Sequence, residues 1–126
     1  MRAASKVFDL DEQWAALPCF VRYDFNEPEV VPAELHHSFD ALLIDPPFIT
    51  EAVWEKYAAT ARLLLRPGGR VICSTIAENA DLMRRLLRLE RVAFQPSIPH
   101  LIYQYDLFTN FAPSVLCHAN PEIPSD

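Results

Sequence analysis

Apolar and polar positions change period several times along the chain, and each change marks an element. Ala41 to Ile44 is an unbroken apolar run, which predicts a short strand buried on both faces, as in a parallel sheet. Asp45 closes the run, and Pro46 and Pro47, which have no N–H to donate, prevent it from continuing. Val53, Trp54, Tyr57, Ala58, Ala61, Leu64 and Leu65 then recur at helical spacing, with Glu55, Lys56 and Arg62 elsewhere on the wheel. Thr50 is a suitable N-cap for this helix, and Glu51 complements its positive end. Arg66-Pro67-Gly68-Gly69 stops the helix in a tight turn, and Val71 to Ile76 reads as a second buried strand. Ala77 to Leu89 has Leu82, Leu86 and Leu89 on one stripe and predicts a second amphipathic helix. Arg91 to Phe94 is a short strand ended by Pro96. Tyr103 to Phe111 alternates, with Tyr103, Tyr105, Leu107, Thr109 and Phe111 on one side, the pattern of an antiparallel strand near a sheet edge.

The first part of the chain is less regular. Val7-Phe8-Asp9 is a strand-like piece ending in an acid, and Asp11 caps a short helix through Trp14. Cys19 to Phe25 is aromatic and β-branched and reads as a strand, broken by Asn26-Glu27-Pro28. Residues 28–38 form a loop or a single helical turn. Strands alternating with helices place the chain in the α/β class. Residues 6–111 are expected to make one partial domain, and 112–126, with little apolar matter after Leu116, a flexible tail.

Composition narrows the options. The chain has 126 residues, fitting one domain, and a net charge of −6. An acidic chain lacks the counterion-release term behind sequence-independent nucleic-acid binding, and it suits a basic protein partner. Cys19, Cys73 and Cys117 have no metal-ligand spacing, and free reduced thiols are expected of them. With no secretory pattern at the start and no apolar run of membrane length, a cytoplasmic protein without membrane contact is expected. His36 and His37 are adjacent, share neither a strand face nor a helix face, and read as surface residues, so no metal site is expected. Arg84, Arg85 and Arg88 read as a solvated helix face. His100 reads as a loop histidine.

The chemistry concentrates where strands end. Asp45-Pro46-Pro47-Phe48 offers a carboxylate, stiffly held carbonyls and an aromatic ring at the carboxyl end of a strand, where open α/β sheets bind ligands. Many acceptors and few donors suit a substrate that presents an amino group. Asp9 and Asp24 end two further strands, with Phe25 following the second.

Phe8-Asp9-Leu10-Asp11, Tyr23-Asp24-Phe25-Asn26-Glu27-Pro28, Asp45-Pro46-Pro47-Phe48 and Leu107-Phe108-Thr109-Asn110-Phe111 together resemble class I S-adenosylmethionine-dependent methyltransferases. Within that class the chain is most similar to the eukaryotic elongation factor 1-alpha lysine methyltransferases, a family also described as probable adenine-N6 methyltransferases. The resemblance covers roughly residues 6 to 111. It implies a partial Rossmann-like sheet with an antiparallel C-terminal strand pair. It implies S-adenosyl-L-methionine as cofactor, with Asp9 accepting from the ribose hydroxyls, Asp24 from the adenine amino group, and Phe25 packing on the ring. Asp45 and the Pro46 carbonyl would accept the hydrogens of the substrate amine, beside Pro47 and Phe48. It implies as partner a protein substrate of the translation elongation factor 1-alpha type, nucleic acid being the weaker alternative. Adenine-N6 methylation and a non-catalytic scaffold are the competing readings. The family's central first strand and its glycine-rich loop have no counterpart here, so the chain reads as N-terminally truncated. The Val7–Asp9 and Phe20–Phe25 strands are therefore expected to close up against Ala41–Ile44.

Overall fold

The computed structural model describes residues 5–97, 103–114 and 116–121. Eight elements follow one another: β1 (Val7–Asp9), β2 (Phe20–Arg22), β3 (Phe39–Ile44), α1 (Glu51–Leu64), β4 (Leu65–Ile76), α2 (Ala80–Leu87), β5 (Glu90–Arg91) and β6 (Tyr105–Thr109). Short 3₁₀ turns lie at Glu12–Trp14, Pro28–Val30, Ala33–Leu35 and Ala77–Asn79. The strands form two separate sheets. β1 and β2 pair in parallel, and a four-stranded sheet has the order β3-β4-β6-β5. β3 runs parallel to β4, and β6 is antiparallel to both β4 and β5. This is the expected mixed α/β arrangement with an antiparallel C-terminal strand pair.

The core lies on one face of the larger sheet. Val71 and Cys73 of β4, Phe108 of β6 and Ile44 of β3 pack against Trp54 and Ala61 of α1 and Leu82 and Met83 of α2. Thr50 caps α1 as expected, its side chain accepting from the Val53 N–H. Trp54 is fully buried, and its indole N–H donates to Thr75 Oγ1 at 3.1 Å. Burial also pushes the Cys73 thiol up, which leaves it a packing group and not a nucleophile.

Several expectations change in the structure. β3 is not buried on both faces. Ile44 is buried, whereas Ala41 is exposed and Leu43 is 81 % exposed. Only the face shared with Leu42 and Ile44 meets α1 and α2; nothing described covers the other. The N-terminal strands do not close up against β3. They form their own sheet, and among the described residues β3 keeps an unpaired edge. β2 also ends at Arg22 and not at Phe25, because the chain turns at Asp24 to make the bond from Glu27 N–H to the Asp24 carbonyl at 2.9 Å.

The Pro-Gly-Gly turn is instead a bulge within one long strand. Register jumps from Phe39 opposite Leu65 to Ala41 opposite Arg70. Gly68 takes a positive φ of 77° there, and a Cβ on Gly69 would meet Leu65 Cδ1 at 2.4 Å. On β6, Asp106, Phe108 and Thr109 are buried, and Phe108 lies opposite Cys73 in the core. Two points of the expected tail are anchored: the Leu116 carbonyl accepts from Phe94 N–H at 3.1 Å, and Asn120, 7 % exposed, donates to the Gln95 carbonyl at 2.6 Å.

Candidate active site

One residue on the packing stripe of α1 joins the rings next to the acidic strand ends. Tyr57, two turns into α1, stacks on Phe25 with centroids 5.6 Å apart and planes 29° from parallel. It also meets Tyr23 edge-on at 5.7 Å. Burial pushes its phenol up to about 12, and the charges of Asp9, Asp24 and Asp45 add to the shift after that of Tyr23. A single hydroxyl therefore feels all three acids that end β1, follow β2 and follow β3. It stays protonated at any physiological pH, a neutral polar group among acceptors. Burial likewise raises the Tyr23 phenol, opposed by its 2.7 Å hydrogen bond with Thr60 Oγ1.

Asp45 is exposed beyond β3, and its Oδ1 accepts from Ser74 Oγ at 2.7 Å. Ser74 sits on the neighbouring strand β4, so sheet register, not sequence proximity, aims this carboxylate; its other oxygen is left for a ligand. Pro46 is half-buried and Pro47 exposed. Phe48, 57 % exposed, meets the Phe25 ring edge-on at 6.5 Å. The loop is fixed behind Phe48 by Asn79, whose Nδ2 donates to the Ile49 carbonyl and to Thr75 Oγ1, both at 2.9 Å. Ser74, Asn79 and Tyr57 were not singled out by motif. Only the last carried a signal, as an aromatic on the helix directly after the acidic loop.

Asp9 and Asp24 lie at the same end. Asp9 Oδ1 accepts from Asp11 N–H at 3.0 Å, and Asp24 Oδ1 from Asn26 N–H at 2.9 Å. Each keeps a second oxygen free of these local turns. Asp11 is the cap of the first 3₁₀ turn, as expected. Lys56 donates to Asn26 Oδ1, and its ammonium lies 5.6 Å from the Phe25 ring centroid. His37 turns away, its ring nitrogen 3.1 Å from the Leu65 carbonyl, and no group of metal-ligating side chains occurs among the described residues. His100 lies outside the described residues.

A family model described as probable N6-adenine methyltransferase matches residues 1–113. The chain belongs to this family. A protein-lysine N-methyltransferase of Caenorhabditis elegans is 33 % identical over 99 residues, covering 78 % of this chain and 45 % of that protein. EEF1A lysine methyltransferase 1 of Bos taurus is 28 % identical over 121 residues, with 94 % and 53 % covered. The human protein of that name is 27 % identical over 114 residues, with 88 % and 52 % covered. The chain thus spans about half the length of these relatives. Methyltransferase families in general use S-adenosylmethionine, and the acceptor groups at these strand ends have the chemistry to suit part of that molecule. The Asp9 and Asp24 oxygens outside their local turns are acceptors, the chemistry that hydroxyl and amino donors call for. The two glycines of the chain both sit in the β4 bulge, away from these strand ends.

Proposed function

We propose that the chain carries the amine-binding part of an S-adenosylmethionine-dependent N-methyltransferase that acts on a protein lysine of the elongation factor 1-alpha type. The observation that carries this reading is Asp45 at the end of β3, oriented by Ser74 and followed by a loop whose Phe48 joins the Phe25 and Tyr57 rings. The protein-lysine names of the relatives support lysine over adenine, as does a net charge of −6. A cytoplasmic setting goes with such a substrate and with three unpaired cysteines.

S-adenosylmethionine, when bound, supplies the methyl group on its sulfonium sulfur. Asp9 would hold the ribose hydroxyls and Asp24 the adenine amino group. Phe25 would offer its ring to adenine once the exposed Lys56 side chain, now over that ring, moves aside. The remaining work belongs to the chain's own groups and is mainly orientation. The free oxygen of Asp45 and the Pro46 carbonyl each accept one amine hydrogen, which turns the nitrogen lone pair away from the loop. Pro47 keeps the loop stiff, and Phe48 covers the amine from solvent. A lysine arrives as an ammonium ion, and carboxylates favour that charged form. Desolvation against Phe48, Phe25 and Tyr57 opposes them by favouring the neutral amine.

The test is transfer of tritiated methyl groups to elongation factor 1-alpha and, separately, to RNA, with cofactor affinity followed by calorimetry. Asp45→Ala is expected to abolish transfer to the protein while leaving cofactor affinity and melting unchanged. Full activity of that variant overturns the role of Asp45. Transfer to RNA alone overturns the lysine assignment, and a wild-type chain that binds no cofactor supports the scaffold reading instead.

A further inference from the structure

A concave surface lies away from Asp45, toward the other end of the larger sheet. A cavity of about 510 Å³ opens between the end of α2, β5 and the segment after β6. Its volume falls in the range of ligand sites, about 300–1,000 Å³. Val92, Ala93, Phe111 and Pro113 make much of its wall, and Arg88 and Arg91 stand at it. Arg70 lies over the Phe111 ring at 4.9 Å, adding a third guanidinium to this end of the molecule.

The charge balance here opposes that of the chain. Glu90, the acid lining the cavity, is held by Arg84 through two hydrogen bonds of 2.8 and 3.0 Å. Asp106 is 1 % exposed and lies 3.8 Å from Arg91, so it offsets part of one positive charge from below. Arg88 and Arg70 have no acidic partner among the described residues. Arg88 also follows α2 with a left-handed φ of 56°, a position glycine fills most easily. The turn itself does not call for a guanidinium there.

We propose that this cavity is a docking site for an acidic protein segment that carries an apolar side chain: the apolar group enters between Val92 and Phe111, and flanking carboxylates pair with Arg88 and Arg70. Charge complementarity selects the occupant. A chain of net charge −6 disfavours acidic peptides overall, so guanidinium groups without acidic partners are where one would be held. Nucleic acid fits less well, because the Phe111 face that could stack on a base is covered by Arg70. The site lies about 10 Å along the strands and about 10 Å across them from Asp45, judged from strand geometry. One protein can therefore reach both. The proposal takes its biological sense from the protein-substrate reading, but its binding test needs neither cofactor nor transfer.

The probe is a fluorescein-labelled peptide of aspartates and glutamates around a central leucine, followed by anisotropy with the 126-residue chain. Saturable binding that weakens with salt is expected. Arg88→Glu and Arg70→Glu should each weaken it about tenfold or more, the scale of a lost charge-assisted hydrogen bond. Arg91 is left in place, since its removal would strand the buried Asp106 carboxylate. Circular dichroism verifies folding of both variants, and Arg88→Lys, which keeps the charge, should retain most of the affinity. No binding of the peptide, equal binding by Arg88→Glu, or preferential binding of a single-stranded RNA each overturns the proposal. A chain that captures the peptide yet transfers no methyl group to protein instead overturns the catalytic reading and leaves the docking site standing.

Discussion

The two sheets are held in different ways. The four-stranded sheet is secured by its own ladders and by a layer of fully buried side chains, among them Trp54, Met83, Cys73 and Phe108. The two-stranded sheet has three residues per strand, too few to be stable alone. It is attached through rings: Phe8 meets Tyr23 at 6.0 Å and Phe39 at 5.9 Å, and Tyr23 and Phe25 meet Tyr57. Such pairs contribute roughly 0.5–1.5 kcal/mol each beyond area burial. Leu42 and Tyr57 border both clusters, so β3 and α1 form the joint. The difference shows that backbone pairing is not needed to bring strand ends together. An aromatic cluster on one helix does it, at lower stability, and the candidate site lies across that weaker joint.

The largest expected effect tests the rigid side. Trp54→Ala empties a fully buried position and leaves Thr75 Oγ1 with one donor fewer. It should cost about 3–5 kcal/mol, visible as a large fall in the urea midpoint. A loss below about 1 kcal/mol would mean that the larger sheet is not the stable unit. Next comes the alternation on β3. Ile44→Ala should cost about 2–4 kcal/mol, whereas Leu43→Ala, on the open face, should stay within about 0.5 kcal/mol. Equal costs would show that something covers Leu43.

A smaller change probes the aromatic joint. Tyr23→Phe removes the hydrogen bond to Thr60 and should cost about 1–2 kcal/mol. Hydrogen exchange should then quicken in β1 and β2 and stay slow in β4 and β6. Uniform quickening would mean that the two sheets unfold as one. The smallest effect is on pH dependence. The Tyr57 phenol ionises near 10 when unfolded and near 12 when folded. The folded state holds this proton more tightly, so the associated stability is complete below about pH 10 and is lost as pH rises through about 12. Tyr57→Phe should flatten that decline, as read from melting temperatures between these limits. No change in slope would place the hydroxyl in open solvent.

Much of the larger sheet was legible in the sequence because its signals are local. A helical stripe capped by Thr50, a β-rich stretch from Val71 to Ile76 and a proline stop after Asp45 each report on their own neighbours, and all three appear as read. Burial was less legible. The run Ala41–Ile44 looks the same to the eye whether a strand is covered on one face or two. Tyr57 looked like an ordinary core position because helical period gives the face of a residue but not what that face meets.

The sequence alone therefore determined most element types, an acid at or just after each of three strands, and the family. Each rests on short-range chemistry: side-chain period, proline's missing N–H and a carboxylate at a strand terminus. Only the tertiary structure decided that β1 and β2 stand apart from β3, that Ser74 aims Asp45, and that Tyr57 meets Tyr23 and Phe25. Those outcomes depend on sheet register and on rings from distant segments meeting, and neither can be counted along the chain. The open edge of β3 belongs to the same class. A strand's sequence specifies which way its side chains alternate, but whether its second edge finds a partner depends on what else is folded beside it.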